Sequence, residues 1–180
     1  VIVIERKTFI PFGQNADASI DYLVGILADA RATTLQRVDG ISKEELHWQY
    51  APGWNTIGAL LAHIIAVEEY FRIEFIERRS LSAAEEALWM PGLEMGTYIP
   101  QLITGELVDV YIKRLEQSRA NMLTALNALS PAEFKEKREG YNPKTGCNLA
   151  WILYHMAEDE VHHRGQISIL RKLYKARATA

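Results

Sequence analysis

The chain has 180 residues, with 20 Lys+Arg against 23 Asp+Glu and a formal net charge of −3 at pH 7. That mildly acidic balance argues against generic nucleic-acid binding, which draws most of its affinity from phosphate neutralisation. Apolar residues make up 48%, enough for a core that needs no disulfide, and the single cysteine, Cys147, excludes both an intrachain disulfide and any zinc site with two cysteine ligands.

The opening VIVIERKTFIPFG starts apolar, but charges follow at once, so it lacks the layout of a signal peptide. Residues 1–13 are expected as an extended segment, with a strand over 1–4 as the one β candidate. A first long helix is predicted over 17–37, with Ile20, Leu23, Val24, Leu27 and Leu35 on one stripe. Asp39-Gly40 ends it, and Ser42-Lys43-Glu44-Glu45 reads as a capping box opening a short helix. His47 is expected at the surface.

Ala51-Pro52-Gly53 is a break. Asn55 is the expected N-cap of a second long helix running to 79, with Ile57, Leu60, Leu61, Ile64, Ile65, Val67 and Phe71 as its stripe. Residues 81–105 hold Pro91, Gly92, Gly96, Pro100 and Gly105, so they read as a long connection with a short helical turn over 82–88. A third long helix is predicted over 106–129, buried through Leu107, Val110, Tyr111, Leu115, Met122, Leu126 and Leu129. A short turn starts at Ser130. Residues 140–146 form a break, and Asn148 caps a last long helix reaching 174. Its basic end, with Arg171, Lys172, Lys175 and Arg177, is expected to complement a helix dipole. No run of about 18 uncharged apolar residues occurs, so no membrane span is expected and a cytoplasmic setting follows. The fold class expected is all-α: a four-helix bundle forming a single domain over 1–180, with a long connection between its second and third long helices.

The last helix carries the chemistry. His155, Asp159 and His163 are spaced four apart and form one polar column. Asp159 and His163 can share one ion, whereas His155 and His163 stand two turns apart, about 12 Å by helical rise. A third ligand has to come from elsewhere, and His63, alone in the most apolar stretch of the chain, is the candidate. A buried imidazole there must be solvated, hydrogen-bonded or coordinated, since an unpaired buried polar group costs roughly 1–3 kcal/mol. The same residues also support a bland reading. Glu158–His162, Asp159–His163 and Glu160–Arg164 are acid-before-base pairs, each worth about 0.2–0.5 kcal/mol on a solvated helix. His63 is then a satisfied core histidine. A di-iron site needs a second Glu-x-x-His, which the chain lacks, and the His-Glu-x-x-His of zinc proteases is absent.

Trp54-Asn55-Thr56-Ile57-Gly58 with Leu61-Ala62-His63-Ile64, and His155 to Glu160 with His162-His163-Arg164-Gly165-Gln166-Ile167, resemble the signatures of DinB/YfiT-like proteins. The resemblance implies a four-helix bundle holding a divalent metal through three histidines, one from the second helix and two from the last. Carried over residue by residue, the ligands are His63 and His163, with Asp159 where the common pattern has histidine. Carboxylate ligation of zinc at about 2.0–2.2 Å permits the exchange. Alternatively, Asp159 only orients a histidine, and the site is weak or empty. Zinc or nickel is the expected ion, with iron or manganese admitted by the facial-triad composition.

Three ligands leave an open position for water or substrate. The resemblance implies a metal-dependent enzyme acting on a small molecule: a thiol-dependent S-transferase using a low-molecular-weight thiol, or a hydrolase. Glu160 and Tyr70 are candidates for proton transfer or substrate contact. Arg164 is read as pairing with Glu160. His162 and Gln166 are placed outside the ligand set, and Cys147 is read as a packing residue. The opposing reading is a non-catalytic bundle that forms a homodimer and keeps a degenerate metal site. A homodimer is expected in either case.

Overall fold

A computed structural model describes residues 18–139, 144 and 146–177. The extended segment expected over 1–13, its strand over 1–4, and most of the break over 140–146 lie outside the described residues.

Helix α1 spans Ala18–Val38 and buries Ile20, Leu27, Ala30 and Leu35. Gly40 then turns the chain at φ 65, a left-handed value that glycine adopts without strain. Helix α2, Lys43–His47, follows. Ser42 accepts from the Glu45 amide at 3.1 Å, as the capping box requires. The Glu45 carboxylate does not reach back; it accepts from Arg171 Nε at 2.8 Å. Arg171 also donates to the carbonyls of Arg37 (2.6 Å) and Asp39 (3.2 Å), so this cation complements the C-terminal end of α1 rather than that of its own helix.

Helix α3, Ile57–Phe71, is the central element. Its N-cap is Thr56, not Asn55, because Thr56 Oγ1 accepts from the Ala59 amide at 3.0 Å. The helix stops at Phe71 and widens into a π-helical turn, Arg72–Ile76, instead of continuing to 79. That turn places Ile73, Phe75 and Ile76 in the core.

The connection over 81–105 is largely helical. Helix α4 runs Ala83–Glu94, with Ser82 and Glu85 completing a capping box, and continues through Pro91. A 3-10 turn at Gly96–Tyr98 and helix α5, Ile99–Leu102, follow. The Pro-Gly content suggested a break, but α4 lies along α3 and tertiary packing supports it past the proline. Helix α6, Val108–Asn127, begins after Leu107, whose side chain is exposed rather than buried. Helix α7 is Pro131–Lys135, and α8, Leu149–Ala176, is capped by Asn148 Oδ1 accepting from Trp151 N at 2.9 Å.

The four long helices form the bundle: α1 packs on α8, α8 on α3, and α3 on α6. Among the described residues there is no strand, only one antiparallel bridge between Arg138 and Cys147. Among the described residues no helix is long and apolar enough to cross a membrane. His47 is not a surface residue. Its Nε2 lies 2.9 Å from the Glu106 carbonyl and its ring packs towards Tyr111, with Nδ1 buried.

Candidate metal centre

His63 lies in the middle of α3, and Asp159 and His163 lie one turn apart in the middle of α8. Because α3 packs on α8, the two elements face each other at this level. His63 Nε2 stands 3.5 Å from Asp159 Oδ2, and His163 Nε2 stands 3.2 Å from Asp159 Oδ1. The three candidate ligand atoms all lie within 4.8 Å of one another. The edge of a tetrahedron built on zinc–nitrogen bonds of about 2.0–2.1 Å is about 3.3 Å, so both contacts fall close to the spacing of atoms sharing one ion.

The remaining ring nitrogens fix which way each histidine is protonated. His63 Nδ1 is 2.9 Å from the Gly92 carbonyl, which can only accept, so Nδ1 carries the proton. His163 Nδ1 donates to Gln166 Oε1 at 3.0 Å, and Gln166 Nε2 in turn faces His162 Nε2 at 2.9 Å. Each neutral imidazole therefore presents an Nε2 lone pair to a carboxylate oxygen. Two lone pairs at that distance repel unless a cation stands between them. The cation is either a proton on Nε2 or a metal ion, and a donor set of two imidazoles and one carboxylate fits the metal.

Without an ion, the electrostatics favour the proton between Asp159 and His163. Burial opposes ionisation of Asp159, but hydrogen bonds from His163 and His63 hold its carboxyl well below the usual carboxylate range. Burial likewise disfavours the charged form of His163, yet the contact with Asp159 raises its pKa above the ordinary histidine value. The side chains are 13%, 19% and 8% exposed for His63, Asp159 and His163, so the centre is enclosed but touches solvent.

His155 stands apart from this group. It stacks on Trp151 with centroids 4.7 Å apart and contacts Glu158 at 3.4 Å. Arg164 bonds Thr33 Oγ1 rather than pairing with Glu160. Both oxygens of Glu160 are engaged elsewhere, Oε1 by Arg31 Nε at 2.9 Å and Oε2 by Arg119 Nη2 at 3.4 Å. The Tyr70 ring packs against Phe71 and Phe75. Cys147 is not acidified by the adjacent helix N-terminus; burial, and then Glu139, push its thiol up.

Sequence reasoning took Gly92 only as a sign of a break and left Gln166 without a role, although these two orient the histidines. Gly92 had a signal of another kind. A Cβ there would meet the Ala62 carbonyl and Ala66 Cβ, each at 2.9 Å, so only glycine lets α4 approach α3 closely enough to reach His63. Gly92→Ala is expected to push α4 outward, lower stability by about 1–3 kcal/mol, and weaken metal binding through the lost His63 hydrogen bond. Urea denaturation and a metal titration of the variant check both effects; an unchanged midpoint would contradict the tight approach.

Fold and site together define a helical bundle with a His/Asp/His group at the seam of two core helices. The chain belongs to the DinB superfamily, whose family model matches residues 26–167, a span that takes in all three residues of the group. No curated protein matches it.

Proposed function

We propose that the protein binds a divalent metal ion through His63 Nε2, Asp159 and His163 Nε2, and that it is a metal-dependent enzyme. The observation that supports this most is the pair of Nδ1 hydrogen bonds, to Gly92 and Gln166, which turn both Nε2 lone pairs towards one carboxylate. When bound, the ion supplies Lewis-acid activation of a thiol or a water molecule. The reaction class is then thiol-dependent S-transfer or hydrolysis of a small molecule. His63 and His163 hold their ligand atoms in place. Asp159 lowers the net charge of the centre by one relative to three histidines, which makes an activated group less acidic. Zinc or nickel is the expected ion, and the donor set also admits iron or manganese.

The pH dependence tests the reading. The Asp159–His163 pairing stabilises the metal-free fold above the unfolded aspartate pKa of about 3.9 and is lost below it as pH falls through the depressed folded value. On the other side, it is fully present below the unfolded histidine pKa of about 6.5 and is lost as pH rises through the raised folded value. Metal binding runs the opposite way across neutrality, because it needs imidazoles free of the Nε2 proton. Zinc at one fixed concentration, a hundred times its Kd at pH 8, is therefore expected to raise the melting temperature by ~5–10 °C at pH 8 and by clearly less at pH 5.5. No shift at pH 8 would sink the proposal.

A further inference from the structure

Beneath the candidate ligands lies a layer of four charges, one from each long helix: the buried Arg31 of α1, Glu68 of α3 and Glu160 of α8, and the partly buried Arg119 of α6. Arg31 donates to Glu160 at 2.9 Å and to Glu68 at 3.1 Å, and its third contact is the Leu115 carbonyl at 2.6 Å. Arg119 also donates to both carboxylates, Glu68 and Glu160, and Ser118 Oγ donates to Glu68. We infer that Arg31 and Arg119 are positioning residues for the metal ligands: each bridges α3 to α8, and together they set the spacing at which His63, Asp159 and His163 converge.

Three observations carry this inference, which rests on the metal reading above. The bridged residues are neighbours of the ligands in sequence. Glu160 follows Asp159 directly, and Glu68 is five residues, about 7.5 Å of helix, from His63. The layer also adjoins the site in space, because a cavity of about 10 Å³ is lined by all four charged residues together with Asp159 and Ile64, the residue after His63. Finally, such a layer is a poor device for stability alone. Well-packed apolar residues of similar volume do as well or better, whereas guanidinium forks impose a fixed geometry on the carboxylates they join. Lysine keeps the charge but cannot fork between two carboxylates.

Cobalt(II), whose visible absorption reports its coordination geometry, serves as the probe. Arg119→Lys, checked for helical content by circular dichroism, is expected to bind cobalt at least about tenfold more weakly, with an altered visible band. Arg114→Lys, which alters an exposed pair with Glu106, is expected to match the unsubstituted protein. Should Arg119→Lys unfold, the apolar layer Arg31→Met/Glu68→Leu/Arg119→Met/Glu160→Leu takes its place, with the same loss expected. Unchanged cobalt affinity and an unchanged band in the folded variant would overturn the inference and leave the metal reading standing. Failure of the unsubstituted protein to bind cobalt would overturn the metal reading and the inference with it.

Discussion

Arg31→Met is expected to cost about 3–5 kcal/mol of folding stability, the range for removing one partner from a buried ion pair. Arg31 is 7% exposed and spends its donors on Glu160, Glu68 and the Leu115 carbonyl. Methionine fills part of the volume but leaves two buried carboxylates with Arg119 as their remaining cation. The nearby charges also hold Glu68 ionised: burial opposes its charge, but Arg31 and Arg119 more than offset this and lower its pKa. The variant thus buries a net negative charge that the unsubstituted protein does not. Removing Glu160 as well, in Arg31→Met/Glu160→Leu, is expected to recover a large part of the loss, since the layer regains one paired charge of each sign. Equilibrium urea unfolding of the single and double variants checks this. A loss below about 1 kcal/mol for Arg31→Met is what a solvated surface pair would give, and it would contradict a buried layer.

The second large effect is at Asp159. Asp159→Ala is expected to weaken metal binding by more than about a hundredfold, because even outer-sphere partners of a metal site are worth about 10–100-fold. The two imidazoles remain, with ring centroids 4.7 Å apart, but two neutral ligands no longer enclose an ion. Asp159→His supplies a third imidazole in place of the carboxylate and is expected to keep metal bound. If alanine binds metal as tightly as aspartate, Asp159 is not a ligand. If only the alanine variant loses binding and Asp159→Asn does not, the residue acts through hydrogen bonds to the histidines. Isothermal titration with zinc separates these results.

The bundle was legible because its apolar stripes are long and regular, and the candidate triad because a four-residue spacing on one helix needs only one partner from another. The charged layer left a fainter trace. Glu68 falls on the stripe between Ile64 and Phe71, and Glu160 falls on that between Met156 and His163. A charge at such a position reads as a lapse in periodicity until the other helices show their complements at the same level. Arg31 and Arg119 are those complements, and only the register between helices pairs them. Gly92 was hidden for a related reason. Pro91-Gly92 has the local signature of a break, and what keeps α4 helical there is the surface of α3 beneath it. Glu160 shows a different limit of the sequence. Its neighbours in sequence invited a catalytic reading, while its partners in space are two arginines from helices far away in the chain.

The most direct measurement is anomalous diffraction at the zinc edge from crystals of the full chain grown with zinc. One peak is expected, about 2.0–2.2 Å from His63 Nε2, an Asp159 carboxylate oxygen and His163 Nε2, with both Nδ1 hydrogen bonds intact. A peak elsewhere, or none at this position with the three side chains ordered, would contradict a metal centre built on these residues.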